Sequence, residues 1–139
     1  MSYLLDTNVI SETIKHSPNQ SVLDWFKATP SDSLYISVIT IGEIRKSIEK
    51  LTKSNKKERL LSWLEHDLSE WFENKILPID FNVADRWGYV NGTLPRSLPA
   101  IDTLIASTAL VHNLKLVTRN VSDFQIPGLE IINPWHFND

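Results

Sequence analysis

Residues 3–10 read Tyr-Leu-Leu-Asp-Thr-Asn-Val-Ile, an apolar run that ends in an acid and passes directly into helical spacing. The run Tyr3–Leu5 suits a short buried strand, whereas Ile10 and Ile14 continue the apolar pattern at helical steps. No Gly or Pro separates the two patterns, so the sequence predicts a strand that leads straight into a helix, with Asp6 at the junction. Asp6 would then lie at the carboxyl end of the first strand, where open α/β sheets bind their ligands.

The alternation of strand and helix patterns continues along the whole chain. Short apolar runs bounded by turn residues predict strands, and apolar stripes at three- and four-residue steps predict helices. The further predicted strands are 34–36, 76–79, 115–118 and 129–132, and the further predicted helices are 21–27, 38–51, 55–75, 82–92 and 100–112. This order indicates a single α/β domain over residues 1–139, with a central, mostly parallel sheet flanked by helices. A long helical hairpin is predicted to turn at residues 53–55.

The composition is typical of one globular domain in a reducing compartment. The 139 residues are 42% hydrophobic, which is enough for a single packed core, and the net charge is -3. The absence of cysteine excludes disulfides, a cysteine nucleophile and a thiolate zinc site. The start of the chain has no basic segment and no long apolar stretch, so neither a signal peptide nor a membrane span is predicted. We therefore expect a soluble, cytoplasmic protein.

Basic residues are concentrated in one stretch between residues 45 and 59. These residues are Arg45, Lys46, Lys50, Lys53, Lys56, Lys57 and Arg59, which is seven of the fourteen basic residues of the chain. Such a stretch is able to meet a polyanion, with Lys53, Lys56 and Lys57 as the candidate contacts. The alternative interpretation is a solvated helix surface with its turn, which is the usual role of a run of charges.

Four acids are candidates for one site at the end of the sheet. Asp6 and Asp123 follow predicted strands, Asp102 lies in the first turn of a predicted helix, and Glu43 lies on the third helix. Clustered carboxylates raise one another's pKa, whereas a hard divalent cation favours their ionised form, and oxygen ligands suit Mg²⁺ or Mn²⁺. Each acid also has an ordinary alternative role, in a helix cap, a first helical turn, a surface ion pair or a turn. Spacing alone does not choose between these roles.

A divalent cation on such carboxylates activates water for attack on a phosphodiester. The cation lowers the pKa of the water, orients it in line with the phosphate and stabilises the charge on the leaving oxygen. Uncharged polar residues beside the acids are predicted to hold the carboxylates or the water molecules. These residues are Thr7, Asn8, Thr118 and Asn120.

Four motifs in this order resemble the PIN domains of the VapC type, and especially their FitB-like branch. The motifs are Leu5-Asp6-Thr7-Asn8-Val9-Ile10-Ser11-Glu12, Ile36-Ser37-Val38 through Gly42-Glu43-Ile44, Pro99-Ala100-Ile101-Asp102-Thr103-Leu104-Ile105-Ala106 and Leu116-Val117-Thr118-Arg119-Asn120-Val121-Ser122-Asp123-Phe124. The final Ile132-Asn133-Pro134-Trp135 is also similar to that family. One departure is Thr103, which stands where the family frequently has a small alanine.

The resemblance implies an Mg²⁺- or Mn²⁺-dependent endoribonuclease that is the toxin of a type II toxin–antitoxin system. It implies that the catalytic and metal-binding residues are Asp6, Glu43, Asp102 and Asp123. The implied partners are RNA, a cognate antitoxin and a second copy of the chain, with operator DNA reached only through the antitoxin and with no membrane. In that setting Lys53, Lys56 and Lys57 are candidate RNA contacts.

Two other functions stay open at the level of sequence. A magnesium-dependent phosphatase of the haloacid-dehalogenase kind also uses an Asp after its first strand, but Asn8 stands where its second Asp is needed. The other alternative is a catalytically minor, toxin-like subunit that helps an antitoxin hold operator DNA. A histidine metal site is not expected, because the four histidines show no paired spacing.

Overall fold

The computed structural model describes residues 1–139 and contains one five-stranded sheet. Its strands are β1 Tyr3–Leu5, β2 Leu34–Ser37, β3 Ile76–Leu77, β4 Lys115–Val117 and β5 Ile131–Ile132. The strand order is β3-β2-β1-β4-β5, and every neighbouring pair is parallel. The prediction of an α/β fold with a parallel sheet is therefore confirmed. The first strand lies at the centre, with Leu4 opposite Tyr35 on one side and Leu5 opposite Val117 on the other.

Helices form the crossovers from β1 to β2, from β2 to β3 and from β3 to β4, whereas β4 is joined to β5 by a loop that contains the 3-10 turn Val121–Phe124. The helices are α1 Thr7–Thr13, α2 Gln20–Ala28, α3 Val38–Glu49, α4 Asn55–Ser62, α5 Ser69–Trp71, α6 Phe81–Thr93 and α7 Ala100–Val111. The predicted hairpin is formed by α3 and α4, and a π-helical segment, Trp63–Leu68, joins α4 to α5. Asn74 has a φ of 64°, a left-handed conformation that ends the helical run before Lys75. None of these helices combines the length and apolar character that crossing a bilayer requires.

The two faces of the sheet bury two separate hydrophobic clusters. Successive strand residues point to opposite faces, so Leu4 and Leu116 pack on one side while Leu5 and Val117 pack on the other. Helices α6 and α7 cover the first side through residues such as Val90 and Ile105. The helices from α1 to α5 cover the second side. Both faces of the sheet are therefore closed, and polar side chains meet only at its edges and ends.

The carboxyl ends of the three central strands meet at one edge. Asp6 follows β1, Ser37 ends β2 and Thr118 follows β4. Helices α1 and α3 begin at this edge, and their first turns are capped by the Asp6 carboxylate, which accepts from the Thr7 amide, and by the Ser37 hydroxyl, which accepts from the Ile39 amide. The same edge therefore gathers free helix amide groups and polar side chains from elements that are far apart in sequence.

Candidate metal centre

Asp6 is fixed at the centre of this edge by hydrogen bonds from three directions. Its backbone amide donates to the Val117 carbonyl at 2.9 Å, which ties the end of β1 to β4. Its carboxylate accepts from the Thr7 amide at 2.8 Å and from the Thr118 hydroxyl at 2.8 Å. The side-chain amide of Asn8 donates to the same carboxylate at 3.4 Å. The capping role considered for Asp6 is real, and it holds the carboxylate in place at only 6% exposure.

Glu43 reaches the same edge from the second turn of α3. Its carboxylate accepts a short hydrogen bond from the Thr7 hydroxyl, so it lies next to the residue that follows Asp6. Thr40, one helical turn earlier and fully buried, also has its hydroxyl 3.4 Å from the Thr7 hydroxyl. The contact with Thr7 turns Glu43 toward the sheet rather than toward solvent.

Asp102 and Asp123 approach from the opposite side of the edge. Asp102 is half-buried in the first turn of α7, and Asp123 is exposed in the 3-10 turn Val121–Phe124 that follows β4. Pro99 precedes α7 and supplies no capping side chain, so the positive end of this helix faces the site without a competing acceptor. The four acids are called the carboxylate cluster below: Asp6, Glu43, Asp102 and Asp123.

The charges of the carboxylate cluster act on one another. Burial raises the pKa of Asp6 to about 6, and the charges of Asp102 and Glu43 raise it as well, against the hydrogen bonds from Thr118 and Thr7. Burial also raises the pKa of Asp102, and the charges of Glu43 and Asp123 act in the same direction. Folding has therefore brought together acids that are separated by up to 117 residues, as their numbers 6 and 123 show.

The donor set of the carboxylate cluster fits a hard divalent cation. Every ion pair of the chain uses other acids, so no Lys, Arg or His neutralises these four carboxylates. The side chains that hydrogen-bond to these acids add only hydroxyl and amide groups. In the protein alone, no three of the acids are gathered closely enough to ligate one ion. The oxygen chemistry of the four side chains, rather than their spacing, therefore carries the fit to Mg²⁺ or Mn²⁺.

Three of the four predicted supporting residues form a hydrogen-bond network beneath Asp6. The Thr118 hydroxyl donates to Asp6 and accepts from the Asn8 side chain at 3.3 Å and from the Asn120 amide at 3.1 Å. Thr7 links Asp6 to Glu43 through its amide and its hydroxyl. The fourth residue, Asn120, takes part through its backbone alone. Thr40 was not predicted, although its place one turn before Glu43 on the same helix face was a usable signal.

The three lysines predicted to contact RNA lie away from the carboxylate cluster. Lys53 and Lys56 are both exposed. Lys53 lies in the turn between α3 and α4, ten residues after Glu43, and Lys56 lies in the first turn of α4. Lys57 is only 19% exposed in its side chain, and its ammonium group donates to the carbonyls of Glu49 and Leu51. Lys57 therefore stabilises the end of α3, and an RNA contact by these lysines stays a prediction.

Comparison with known protein families gives a match over most of the chain. The profile of the PIN domain family matches residues 3–125, a range that includes all four acids of the carboxylate cluster. The chain belongs to the PIN domain family. PIN-domain membership agrees with the observed order of strands and with the acid motifs at the carboxyl ends of β1 and β4.

Similar PIN proteins are found among toxins and ribonucleases. Toxin FitB of Neisseria gonorrhoeae is 35% identical over 136 residues, which cover 96% of this chain and 98% of FitB. The VapC ribonuclease Y4jK of Sinorhizobium fredii is 33% identical over 135 residues, covering 95% and 96% of the two chains. The structure of FitAB bound to an IR36 DNA fragment contains a chain with a TM-score of 0.89 and 34% identity, with 96% of each chain covered.

Proposed function

We propose that this PIN protein is a divalent-cation-dependent endoribonuclease and the toxin of a toxin–antitoxin pair. The observation that carries the proposal is the carboxylate cluster, in which the charges of Glu43 and Asp102 act on buried Asp6 and no Lys, Arg or His forms an ion pair with any of the four acids. The similarity to a named toxin and to a named VapC ribonuclease supports the choice of RNA as the substrate.

The chain's own residues divide the chemical work. Asp6, Glu43, Asp102 and Asp123 would hold Mg²⁺ or Mn²⁺, which when bound supplies a Lewis acid and lowers the pKa of water for attack on phosphorus. Thr118 and Thr7 fix the orientation of the Asp6 and Glu43 carboxylates through hydrogen bonds. The uncapped start of α7 offers backbone amides to the developing negative charge.

The direct test is metal-dependent cleavage of single-stranded RNA by the purified protein. We expect cleavage with Mg²⁺ or Mn²⁺, none in EDTA, and full recovery when Mn²⁺ is added back, because four carboxylates that repel one another need the cation to act together. A DNA oligonucleotide of the same sequence is the control that shows whether cleavage requires ribose in the substrate. Cleavage at an equal rate in EDTA would contradict the proposed metal dependence.

The two alternative functions make different demands on the same residues. A haloacid-dehalogenase-type phosphatase needs a free acid at position 8. The residue there is Asn8, whose side chain donates to the Thr118 hydroxyl and accepts from the backbone amide of Arg119. A subunit that only supports DNA binding has no use for four unneutralised acids, whose mutual repulsion destabilises the fold. RNA cleavage in the test above, without hydrolysis of a phosphate monoester, separates the proposed function from both alternatives.

We propose that the antitoxin docks in an apolar groove between α1, α3 and α4. The groove has a volume of about 810 Å³, and its lining includes Ile14, Ile44, Leu51 and Leu60 together with Lys56 and Arg59. Lys56 and Arg59 form no ion pair within the chain. A basic rim around an apolar floor is complementary to an amphipathic segment with an acidic face. The homodimer that the family resemblance implies stays a prediction.

Filling the groove with an aromatic side chain should prevent antitoxin binding without altering the core. Ser47 is exposed on α3 within the groove, so Ser47→Tyr is expected to lower the yield of the co-expressed product of the neighbouring reading frame at least tenfold in a pull-down. Ser62→Tyr, exposed on α4 outside the groove, is the matched control and should leave the yield unchanged. Equal yields with both variants would place the antitoxin elsewhere.

A further inference from the structure

The backbone of Arg119 lies directly beside the carboxylate cluster. Arg119 follows Thr118, the residue whose hydroxyl donates to Asp6, and its own backbone amide donates to the Asn8 side chain at 3.4 Å. The amide of Thr118 donates to the Ile132 carbonyl at 2.9 Å, so the backbone that leads to Arg119 is fixed to β5. The position of this arginine is therefore set by the same contacts that build the site.

The guanidinium group of Arg119 is held on an aromatic ring and keeps its donors free. It lies over the half-buried Trp135 at 5.1 Å from the ring centroid. The side chain is exposed, and none of its N–H groups forms an ion pair with an acid of the chain. Stacking on a ring orients a guanidinium and lowers the entropy that it loses when it binds a ligand. The five N–H donors of the guanidinium face solvent in a fixed orientation. They suit a planar, bidentate hydrogen-bonded contact to a phosphate.

A purely structural role does not account for these contacts. The charge of Arg119 acts on the buried Glu12, whose carboxylate already accepts from the Lys15 ammonium at 2.9 Å and from the Asn19 amide at 2.8 Å. Burial acts to raise the pKa of Glu12, but these two partners and the more distant charge of Arg119 keep it below its ordinary value. Glu12 therefore has its hydrogen bonds without Arg119, and the guanidinium is left for another anion.

We propose that Arg119, held on Trp135, binds the RNA phosphate next to the one that is cleaved, on the β5 side of the site. The inference rests on the proposed ribonuclease function. The chain carries a net charge of -3 and concentrates four acids at the proposed site, so the free guanidinium of Arg119 offsets part of the repulsion between the protein and the RNA backbone. Arg119 thus contributes to binding the substrate, while the carboxylate cluster contributes to cleaving it.

The test is the salt dependence of RNA binding in the Asp102→Asn protein with Mg²⁺, where the strand is expected to stay intact. Arg119→Gln should weaken binding of a single-stranded RNA oligonucleotide roughly tenfold and reduce the slope of log Kd against log salt by about 0.7, the value for one phosphate contact on a single strand. Arg119→Lys should keep the slope and recover only part of the affinity, because lysine supplies a point charge without the planar fork. Arg86→Gln is the matched control, since Arg86 is exposed beside Met1 and Ser2, at the start of β1.

Kinetics of the otherwise unmodified protein separate binding from a loss of structure. Arg119→Gln should raise KM roughly tenfold and leave kcat unchanged, as for a contact that is equal in the ground and transition states. An unchanged salt slope, or a fall in kcat that accompanies a lower melting temperature, would overturn the inference while leaving the ribonuclease proposal intact. A reduced slope in a protein that never cleaves RNA would support a phosphate contact by Arg119 but would overturn the ribonuclease proposal and, with it, the placement of that contact next to a cleaved phosphate. Absence of RNA binding at any salt concentration would overturn both.

Discussion

Replacement of Asp6 by asparagine is expected to reduce metal-dependent RNA cleavage by at least about 1000-fold. The substitution keeps the size of the side chain and its hydrogen bond from Thr118, but it removes the most buried charge of the carboxylate cluster. Metal-assisted hydrolysis depends on charge stabilisation of several kcal/mol, and each 1.36 kcal/mol corresponds to a tenfold change in rate. Asp102→Asn should act in the same way, because Asp102 is the acid on the opposite side of the site.

The same substitution should stabilise the metal-free protein. The pKa of Asp6 rises from 3.8 to about 6 on folding, so the folded state holds this proton more tightly than the unfolded chain. The resulting stability is fully present below pH 3.8 and is lost as the pH rises through about 6, a difference of about 3 kcal/mol in the free energy of unfolding. Asparagine carries no charge, so Asp6→Asn avoids this loss at neutral pH.

Denaturant unfolding in EDTA between pH 4.5 and 7.5 measures this effect directly. The difference between Asp6→Asn and the unmodified protein should grow with pH, and Mn²⁺ should stabilise only the unmodified protein. Asp85→Asn, at an exposed position of α6, is the control for the loss of one negative charge. Parallel curves of unfolding free energy against pH for Asp6→Asn and the unmodified protein would show that folding does not raise the pKa of Asp6.

Of the substitutions proposed here, Phe72→Ala should cause the largest loss in the free energy of unfolding. Phe72 is fully buried at the end of the α4–α5 helical run, in the cluster that also holds Leu64 and Leu68, and its ring lies 4.5 Å from that of Trp71. Truncation of a buried phenylalanine removes its burial energy and leaves a cavity, at a cost of about 3 to 5 kcal/mol. That is a large part of the 5 to 15 kcal/mol typical of a domain, so the folded fraction at growth temperature should fall.

The measurement is the free energy of unfolding by urea at pH 7, with the exposed Phe81 as the matched position. Phe81 is 83% exposed at the start of α6, and Phe81→Ala should change the stability by less than about 0.5 kcal/mol. Cleavage per folded molecule should be unchanged in both variants, because neither ring reaches the carboxylate cluster. A similar effect of the two substitutions would mean that the packing around Phe72 is not as described.

The strand-to-helix junction at Asp6 was predictable because local signals agree there. An apolar run passes into helical spacing without a breaker, and a polar residue suited to capping stands between them. Other boundaries depend on tertiary contacts. The last strand was predicted from Leu129, but Gly128 has a φ of 86° and the Leu129 amide donates to the Ile126 carbonyl, so pairing starts only at Ile131.

Two features lay beyond the reach of sequence patterns. Leu60, Leu64 and Leu68 recur at four-residue steps, which predict a continuous α-helix, whereas the segment Trp63–Leu68 is π-helical. The meeting of the four acids was likewise not derivable from spacing, since their separations in sequence contain no common period. The resemblance of the four motifs to PIN domains supplied that prediction. Charges within the cluster act on the pKa of Asp6 and of Asp102, but the binding of one cation by all four acids stays a prediction.

The central position of β1 also governs when the site can form during synthesis of the protein. Asp6 leaves the ribosome 112 positions before Thr118, whose hydroxyl orients the Asp6 carboxylate. A nascent chain therefore lacks β4 and an ordered Asp6 until Thr118 has been translated. A nuclease built in this way cannot complete its site on the ribosome before β4 emerges, which delays any attack on the messenger that encodes it.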